Sequence, residues 1–254
     1  MAEILESSRQ GRVLRLALNR PEKRNALSAQ LCRELVLAFD TAVRDPQIGA
    51  VLLTANGGHF CAGMDLFEVG TLSHNEITTG QEQLFTIGAR LSKPLIAAVQ
   101  GCALGGGMGL VANCHVVIAS EDASFGLTEI RVGLWPFLVF RALAMGLGER
   151  RTTELSLTGR IFGAQEARDI GLVHEVTRDL EKRAVEVATA ISESSPIAVR
   201  SGLSFVREVR GSDWKVTGEI ARRIRNELFE GDDLKEGLRA FREKRMPRWP
   251  AIKD

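Results

Sequence analysis

The stretch Lys93-Pro-Leu-Ile-Ala-Ala-Val-Gln-Gly-Cys-Ala-Leu-Gly-Gly-Gly-Met-Gly109 contains a short apolar run followed directly by a glycine-rich turn. The apolar run, residues 94–99, is uninterrupted and predicts a buried β-strand. Glycine has no Cβ, so the turn at 101–109 allows backbone N–H groups to approach a ligand closely. A second apolar run at 116–119 predicts another strand after the turn. The stretch therefore predicts two buried strands with accessible backbone between them.

Strand-like and helix-like segments alternate around this stretch. Ser28 is a typical N-cap for a helix that extends to about Val43, because its hydroxyl can accept a backbone hydrogen bond. Similar patterns predict strands at 13–18 and 50–54 and a helix from about 75 to 91. This alternation is typical of an α/β fold.

The C-terminal part has a different pattern. From about Arg178 to Arg245 the sequence is almost wholly helical, with breaks near Ser195-Pro196 and Gly231. No low-complexity linker and no fixed-period repeat divides the sequence. We therefore expect a core over residues 1–195 and a helical C-terminal region over residues 196–254.

The charge balance excludes several classes of partner. The 254 residues include 33 Lys and Arg and 32 Asp and Glu, for a net charge of +1. A chain with so little net charge has no general attraction for nucleic acid or anionic lipid, so an anionic ligand needs a local cluster of cations. No apolar run approaches the roughly 18 residues of a membrane span, and the N-terminus lacks the apolar segment of a signal peptide. We expect a cytoplasmic protein with no membrane partner.

The four cysteines, Cys32, Cys61, Cys102 and Cys114, share no CxxC spacing and form no metal-ligand pattern with the four histidines. Reduced thiols in a cytosol-like compartment are the expected state. Neither a metal site nor a disulfide is predicted.

The glycine-rich turn can also be compared with nucleotide-binding motifs. Gly107-x-Gly109-x-x-Ala112 has the spacing of a dinucleotide fingerprint, but such a fingerprint opens immediately after the first strand and leads a full crossover helix. Here the glycines come several residues late and the next strand follows too soon for a crossover helix. A P-loop is excluded because no Gly-Lys-Ser/Thr follows. From the turn alone, ligand binding and close helix–strand packing both stay open.

Five segments, in this order and spacing, resemble the enoyl-CoA hydratase/isomerase (crotonase) superfamily along essentially the whole chain. They are Asn19-Arg-Pro-Glu-Lys-Arg-Asn-Ala-Leu27, Phe60-Cys-Ala-Gly-Met-Asp-Leu66, Lys93 to Gly109, Phe125-Gly-Leu-Thr-Glu129, and Glu236-Gly-Leu-Arg-Ala-Phe-Arg-Glu-Lys-Arg245. The resemblance implies a crotonase-like spiral of ββα units with a helical C-terminal region used for trimer contacts. It also implies a homotrimer, or a hexamer built as a dimer of trimers.

The resemblance further implies an acyl-CoA thioester as the ligand and no cofactor beyond the CoA moiety of the substrate. By motif match, the backbone N–H groups of Met64 and Gly106 form an oxyanion hole for the thioester carbonyl. The intermediate shared by the family is a thioester enolate, whose negative charge develops on that oxygen. Preorganised donors stabilise such a charge, and losing one typically costs about 10²–10³ in rate.

The same motif match places the CoA on two parts of the chain. Six residues of the first two segments are implied to line the nucleotide: Lys23, Arg24, Ala26, Ala62, Asp65 and Leu66. Phe241 and Lys244, from the C-terminal segment, are implied to reach the CoA of a neighbouring subunit. If so, oligomerisation completes the binding site.

The reaction depends on two glutamates in the hydratases of the family, and this sequence keeps one of them. The first lies three residues after the oxyanion glycine, where this chain has Gly109. The second matches Glu129, the implied catalytic residue. One carboxylate is sufficient to move a proton between the α and γ carbons, so we expect Δ3-to-Δ2 isomerisation. Trp135 and Phe137 are the expected acyl-pocket residues, and burial beside them would raise the pKa of Glu129.

Two other functions stay open. Some dehydratases of the family also have glycine near this place, so hydration or dehydration with Glu129 as the sole carboxylate is the first alternative. The second is a non-catalytic acyl-CoA-binding protein, or an RNA-binding protein that uses Arg222-Arg223-Ile-Arg225. Glu227 and Glu230 follow these arginines, a pattern typical of a solvated helix face with i,i+4 pairs. Nucleic acid is therefore not the expected partner.

Overall fold

The computed structural model describes residues 3–69 and 71–252. In these ranges the chain forms nine β-strands and ten α-helices. The strands are β1 (Leu5–Gln10), β2 (Val13–Leu18), β3 (Ala50–Ala55), β4 (Leu95–Val99), β5 (Cys102–Leu104), β6 (Val116–Ser120), β7 (Ser124–Gly126), β8 (Ile161–Gly163) and β9 (Glu175–Thr177). The helices are α1 (Ala29–Arg44), α2 (His74–Phe85), α3 (Gly106–Ala112), α4 (Phe137–Leu147), α5 (Glu149–Thr158), α6 (Ala164–Asp169), α7 (Leu180–Ser192), α8 (Pro196–Glu208), α9 (Trp214–Phe229) and α10 (Asp232–Glu243).

Six strands form the main sheet in the order β1-β2-β3-β4-β6-β9. β1 and β2 form an antiparallel hairpin, and every further neighbouring pair is parallel. The register aligns Leu16 with Leu53, Leu53 with Ala97 and Ala97 with Val117, so one row of apolar side chains crosses four strands. Strands of a parallel sheet that are buried on both faces have continuous apolar sequences, as β3 and β4 do. The predicted α/β class is confirmed.

Successive residues of a strand face opposite sides of the sheet, and different helices cover the two sides. Leu53 belongs to the larger apolar cluster, which includes Leu35 and Phe39 of α1. Its neighbour Leu52 belongs to the smaller cluster, which includes Ala184 of α7. The main sheet is therefore a middle layer between helices.

Helix α1 begins where the sequence predicts it. Ser28 is the N-cap, and its hydroxyl accepts a hydrogen bond of 3.1 Å from the backbone N–H of Leu31. The helix ends at Arg44, shortly before Pro46. Its inner face is completely buried at Leu35 and Phe39, so α1 attaches firmly to the sheet.

A small second sheet positions the glycine-rich turn. Its strand order is β5-β7-β8, and β5 pairs in parallel with β7, which aligns Ala103 with Phe125. Just after these strands, the N–H of Gly105 donates to the carbonyl of Gly126 at 2.8 Å. A short 3₁₀ turn at Glu129–Val132 follows β7. The pairing of β5 with β7 therefore brings Glu129 beside the glycine-rich turn.

The helix predicted to reach Leu91 is shorter in the structure. α2 ends at Phe85, and a 3₁₀ turn follows at Ile87–Ala89. The N–H of Gly88 donates to the side-chain oxygen of Asn113 at 3.0 Å, so it is not available to continue an α-helix. A contact distant in sequence thus ends α2.

Two further differences lie nearer the chain ends. β1 is absent from the sequence prediction, because its first side chain is buried and the next five are exposed, with no alternation. The breaks predicted near Ser195-Pro196 and Gly231 are confirmed by the ends of α7 and α9 and the starts of α8 and α10. A third break, between Glu208 and Trp214, was not predicted.

Phe39→Ala should lower the free energy of unfolding by about 3–5 kcal/mol, because the completely buried ring would leave a cavity. The matched control is Leu37→Ala on the same helix, whose side chain is 65% exposed. Its expected effect is within about 0.5 kcal/mol. Urea denaturation followed by circular dichroism measures both changes, and equal losses would contradict the assigned inner face of α1.

Candidate active site

The glycine-rich turn, the segment around Met64, α2 and the segment 129–139 surround one cavity. Its volume is about 450 Å³, within the range of small-molecule sites. The lining residues are Leu27, Met64, Val69, Thr78, Gln81, Phe85, Gly106, Glu129, Leu134, Trp135, Pro136, Phe137, Leu138 and Val139. Among these described residues Glu129 is the only ionisable one, so a single carboxyl group lies in a mainly apolar wall.

Two backbone N–H groups at this cavity have no acceptor among the residues that the structure describes. Met64 and Gly106 both line it, and within residues 3–69 and 71–252 neither N–H donates a hydrogen bond. The backbone of Leu27 pairs with the two neighbours of Met64 instead. Its N–H donates to the carbonyl of Gly63 at 2.7 Å, and its carbonyl accepts from the N–H of Asp65 at 3.0 Å. Gly106 is the first residue of α3 and has no partner within that helix. Buried N–H groups are almost always paired, so these two are available to a ligand oxygen.

Glycines allow these groups to lie close together. Gly63 has a φ of +95°, and a Cβ there would lie 2.8 Å from the carbonyl oxygen of Leu104. Gly105 has a φ of +50°, and a Cβ there would lie 2.9 Å from Oε1 of Glu129. A residue with a side chain would be strained at both angles and would not fit. The glycines thus permit the approach of both N–H donors and the carboxyl group.

Glu129 reaches the cavity from the 3₁₀ turn after β7. Its Oε2 is buried and, among the residues that the structure describes, has no hydrogen-bond partner. Burial penalises the charged form and raises the pKa of Glu129 above its ordinary value, while its own backbone N–H opposes the shift. The direction of the shift agrees with the expectation from sequence. A carboxyl group with a raised pKa is better matched to accept and return a proton near neutral pH.

The turn before α4 and the first residues of this helix supply the apolar wall. Trp135 and Phe137 both line the cavity, at the place expected for acyl-pocket residues. The ring of Trp135 is partly buried and packs 6.2 Å from the ring centroid of Phe140. Phe137 is 77% exposed, so it forms the rim of the cavity rather than its floor.

The place of the second carboxylate is already filled. The resemblance puts that glutamate at position 109, where a Cβ would overlap Cγ1 of Val139 and lie 2.8 Å from its Cβ. The same Cβ would lie 3.3 Å from Cδ1 of Phe85. Val139 and Phe85 therefore occupy the volume that a side chain at Gly109 would need. The single-carboxylate character of the site is a property of the packing as well as of one residue.

Helix α2 contributes a face of the cavity that the sequence analysis did not identify. Thr78, Gln81 and Phe85 line the cavity, and their spacing places them on one side of the helix. Gln81 is 7% exposed, and its amide makes no hydrogen bond within the described part of the chain. It is therefore a polar group available to substrate or water. The helical spacing of these three residues was the signal that could have found this face.

The residues implied to bind the nucleotide lie on two segments that hydrogen bonds hold together. The N–H of Ala62 donates to the carbonyl of Arg24 at 2.9 Å. Arg20, which the sequence analysis did not identify, pairs with the carboxylate of Asp65 at 2.8 Å. Its other terminal nitrogen donates to the carbonyl of Ala26 at 2.6 Å. Arg20 therefore fastens segment 23–26 to segment 62–66.

The outer side of this cluster is open to solvent. Lys23, Arg24 and Leu66 are exposed, and the ammonium of Lys23 lies 4.6 Å from the ring centroid of Phe67. Two cations and an apolar surface thus lie together beside the cavity residue Met64.

The two C-terminal residues implied in the same site lie elsewhere in the single chain. Phe241 is 84% exposed on α10, and Lys244 follows this helix with a φ of +53°. Neither of them lines the cavity. Their implied contact with a neighbouring subunit stays a prediction.

Other kinds of site find less support in residues 3–69 and 71–252. In these ranges no group of three or more His, Cys, Asp or Glu residues could hold a metal ion, and no helix could span a bilayer. The four cysteines are free. Arg223 pairs with Glu227 at 3.6 Å and with Glu208 at 2.7 Å, so the predicted i,i+4 pairing is confirmed for this arginine.

Comparison with known proteins gives a consistent result. The sequence profile of a family described as "Enoyl-CoA hydratase/isomerase" matches residues 8–251. Enoyl-CoA hydratase EchA19 of Mycobacterium tuberculosis is 38% identical over 248 residues, covering 94% of this chain and 93% of that protein. Mevalonyl-coenzyme A hydratase sidH of Aspergillus fumigatus is 38% identical over 246 residues, covering 93% and 91%. The crystal structure of enoyl-CoA hydratase from Bacillus anthracis superposes with a TM-score of 0.91 at 32% identity, covering 98% of this chain and 100% of that one.

Glu129→Gln should raise the free energy of unfolding at pH 7, because the amide keeps the shape of the side chain without a buried charge. A carboxyl group whose pKa is raised by folding stays protonated to higher pH in the folded state than in the unfolded state. The stability of the wild type therefore falls as the pH rises from the ordinary pKa of the group to its raised pKa. The gain should therefore disappear once the pH is below the ordinary value of 4.5. Denaturant unfolding between pH 4 and pH 8 measures it, with the exposed Glu82→Gln as control. A variant no more stable than the wild type at pH 7 would contradict the burial of an unpaired carboxyl group.

Gly109→Ala should lower the melting temperature, because its methyl group would overlap Val139. The matched control is Gly202→Ala, also inside a helix, where a Cβ would meet nothing within 4 Å. This control should be neutral or stabilising by up to about 1 kcal/mol, since alanine favours a helix over glycine. Differential scanning calorimetry compares the two, and similar melting temperatures would show that position 109 is not closed by packing.

Proposed function

The chain belongs to the enoyl-CoA hydratase/isomerase family of acyl-CoA enzymes, and from this premise we propose that it moves the double bond of an enoyl-CoA thioester from Δ3 to Δ2. One observation carries the proposal: Glu129 is the only ionisable side chain among the described residues that line the cavity. A proton shuttle needs one carboxylate. Two-glutamate hydration needs another, whose place is filled by Val139 and Phe85.

In the proposed reaction the thioester oxygen accepts hydrogen bonds from the N–H groups of Met64 and Gly106. Glu129 removes a proton from the α carbon, and the electron pair of that C–H bond forms a dienolate whose oxygen charge the two donors stabilise. The same carboxyl group then returns the proton to the γ carbon, which leaves the double bond between the α and β carbons. No atom is gained or lost, so the step needs no cofactor beyond the CoA of the substrate. The raised pKa of Glu129 supports both of its roles, as the base that accepts the proton and as the acid that returns it.

We place the CoA beside segments 23–26 and 62–66, with Lys23 and Arg24 near its phosphates. Phe241 and Lys244 complete this site from a neighbouring subunit, in a homotrimer or a hexamer made of two trimers. Leu234, Leu238 and Phe241 are exposed at helical spacing on α10, and an apolar helix face of this kind supports an intermolecular role.

Hydration of a 2-enoyl-CoA is the second candidate, and two observations favour it. The relatives EchA19 and sidH are both named as hydratases. The amide of Gln81 lies in the cavity of Glu129 without a partner in the described residues, so it could hold the attacking water. In this reading Gln81 replaces the missing glutamate as the group that positions water.

The discriminating experiment offers matched 3-enoyl-CoA and 2-enoyl-CoA substrates of medium chain length. Mass spectrometry and the absorbance of the conjugated thioester follow the products. The expected result is conjugation of the 3-enoyl substrate without a change of mass. Addition of one water to the 2-enoyl substrate, without isomerisation, would replace the proposal with the second candidate.

Two variants test the assigned roles in this assay. Glu129→Gln should abolish turnover while acyl-CoA affinity stays within a few-fold, and the exposed control Glu82→Gln should retain activity. Gln81→Leu should leave isomerisation intact but remove any hydration. Turnover by Glu129→Gln would exclude Glu129 as the acid/base, and lack of turnover of either substrate by the wild type would refute the proposed reaction.

A further inference from the structure

A second cavity lies at the opposite edge of the main sheet from the candidate active site. Its volume is about 370 Å³. Its lining includes Arg12 immediately before β2, Gly49 immediately before β3 and Pro94 immediately before β4, so it opens at the amino ends of three parallel strands. The glycine-rich turn follows the carboxyl end of β4. The two cavities have no described lining residue in common.

Arg12 is the most unusual group at this second cavity. It is only 9% exposed, although it carries a full positive charge. Its Nε donates to the carbonyl of Ser192 at 3.1 Å, at the end of α7. Its two terminal nitrogens are buried, and among the described residues neither has a hydrogen-bond partner. A buried charge without a partner is costly, so a guanidinium in this state has strong unmet capacity for an anion.

Further cations surround the same space. Lys93, Arg44 and Arg200 line it with Arg12, whereas no Asp or Glu occurs among its described lining residues. The ammonium of Lys93 donates to the carbonyls of Asp45 at 3.1 Å and Ile48 at 2.6 Å, which fixes its position. Burial and then the charge of Arg12 lower the pKa of Lys93, so the two cations repel each other. The carboxylates of Asp45 and Glu193 offset part of this charge, but neither of them lines the cavity, so the described lining keeps an excess of positive charge that favours an anionic ligand.

The first turn of α8 adds a partial positive charge beside these cations. Pro196 and Ile197, at its start, line the cavity. This helix is 13 residues long, and the N-terminus of a helix carries a partial positive charge with backbone N–H groups that lack helical partners. Because proline occupies the first position, the N–H of Ile197 is the nearest donor to the start of the helix. The buried guanidinium and the helix terminus thus act on one space from two elements.

We propose that this cavity is a second binding site, separate from the acyl-CoA site, for a small molecule that carries a phosphate group. Arg12 binds the phosphate through its two free terminal nitrogens, since a guanidinium fits two phosphate oxygens at once. Arg200 and Arg44 provide the exposed charges at its rim. A cavity of about 370 Å³ is larger than a phosphate ion, so the ligand carries a further group that contacts the apolar part of the lining.

Isothermal titration calorimetry with pyrophosphate at constant ionic strength tests the proposal. The wild type should bind one equivalent per chain, and malonate, a dicarboxylate, should bind more weakly. Arg12→Gln should weaken pyrophosphate binding by at least about ten-fold, because it removes a charge-assisted bidentate contact. The matched control Arg33→Gln removes one exposed positive charge from α1, away from the cavity, and should leave the affinity unchanged.

Two further variants distinguish binding at this cavity from misfolding and from binding at the proposed CoA site. Arg200→Glu reverses an exposed rim charge without disturbing the interior, so it should weaken binding even if Arg12→Gln fails to fold. The double variant Lys23→Ala/Arg24→Ala alters the proposed CoA site and should bind pyrophosphate as the wild type does. No binding by the wild type, unchanged affinity in Arg200→Glu, or loss of binding in the Lys23/Arg24 variant would each overturn the proposal. Unchanged affinity in a folded Arg12→Gln would overturn it as well, because the phosphate would then not bind Arg12, whose role would be to hold the end of α7.

Discussion

The close approach of two backbone segments, 61–64 and 103–106, is the constraint on which the candidate active site depends. The N–H of Leu104 donates to the carbonyl of Cys61 at 2.9 Å, which joins the segments like neighbouring strands. Glycines at 63 and 107 permit this approach, because a Cβ at either of them would lie within 3 Å of a backbone oxygen of the facing segment. Gly105 leaves room for a different neighbour, the carboxyl group of Glu129. The N–H groups of Met64 and Gly106 are therefore positioned by backbone packing, and the side chain of residue 64 is free to serve as an apolar wall of the cavity.

This arrangement leaves polar groups without partners in a protein interior, which lowers stability locally. Two N–H groups and one oxygen of Glu129 are unpaired within the described residues. The completely buried core between α1 and the sheet supplies the stability that such a site requires. Arg12 presents the same pattern at the other edge of the sheet, with a cation in place of a carboxyl group. At both edges an unpaired buried group marks the place where a ligand is expected.

The sequence predicted those elements whose signals are local. The N-cap at Ser28 and the apolar strands β3 and β4 depend on neighbouring residues, and they occur where expected. The end of α2 at Phe85 depends on Asn113, a residue distant in the sequence, and was therefore not predicted. β1 has no apolar alternation, so only its pairing with β2 defines it.

For the candidate site, the sequence by itself determined which chemical groups are present. The motifs contain one matching carboxyl group at Glu129 and glycine at each place where backbone must approach backbone. Only the tertiary structure decided that Val139 closes the space beside Gly109 and that Gln81 enters the cavity from α2. It also decided that the buried terminal nitrogens of Arg12 have no partner in the described part of the chain. The physical reason is that a motif reflects the needs of the local backbone, whereas packing, burial and the pairing of polar groups depend on residues that only the folded chain brings together.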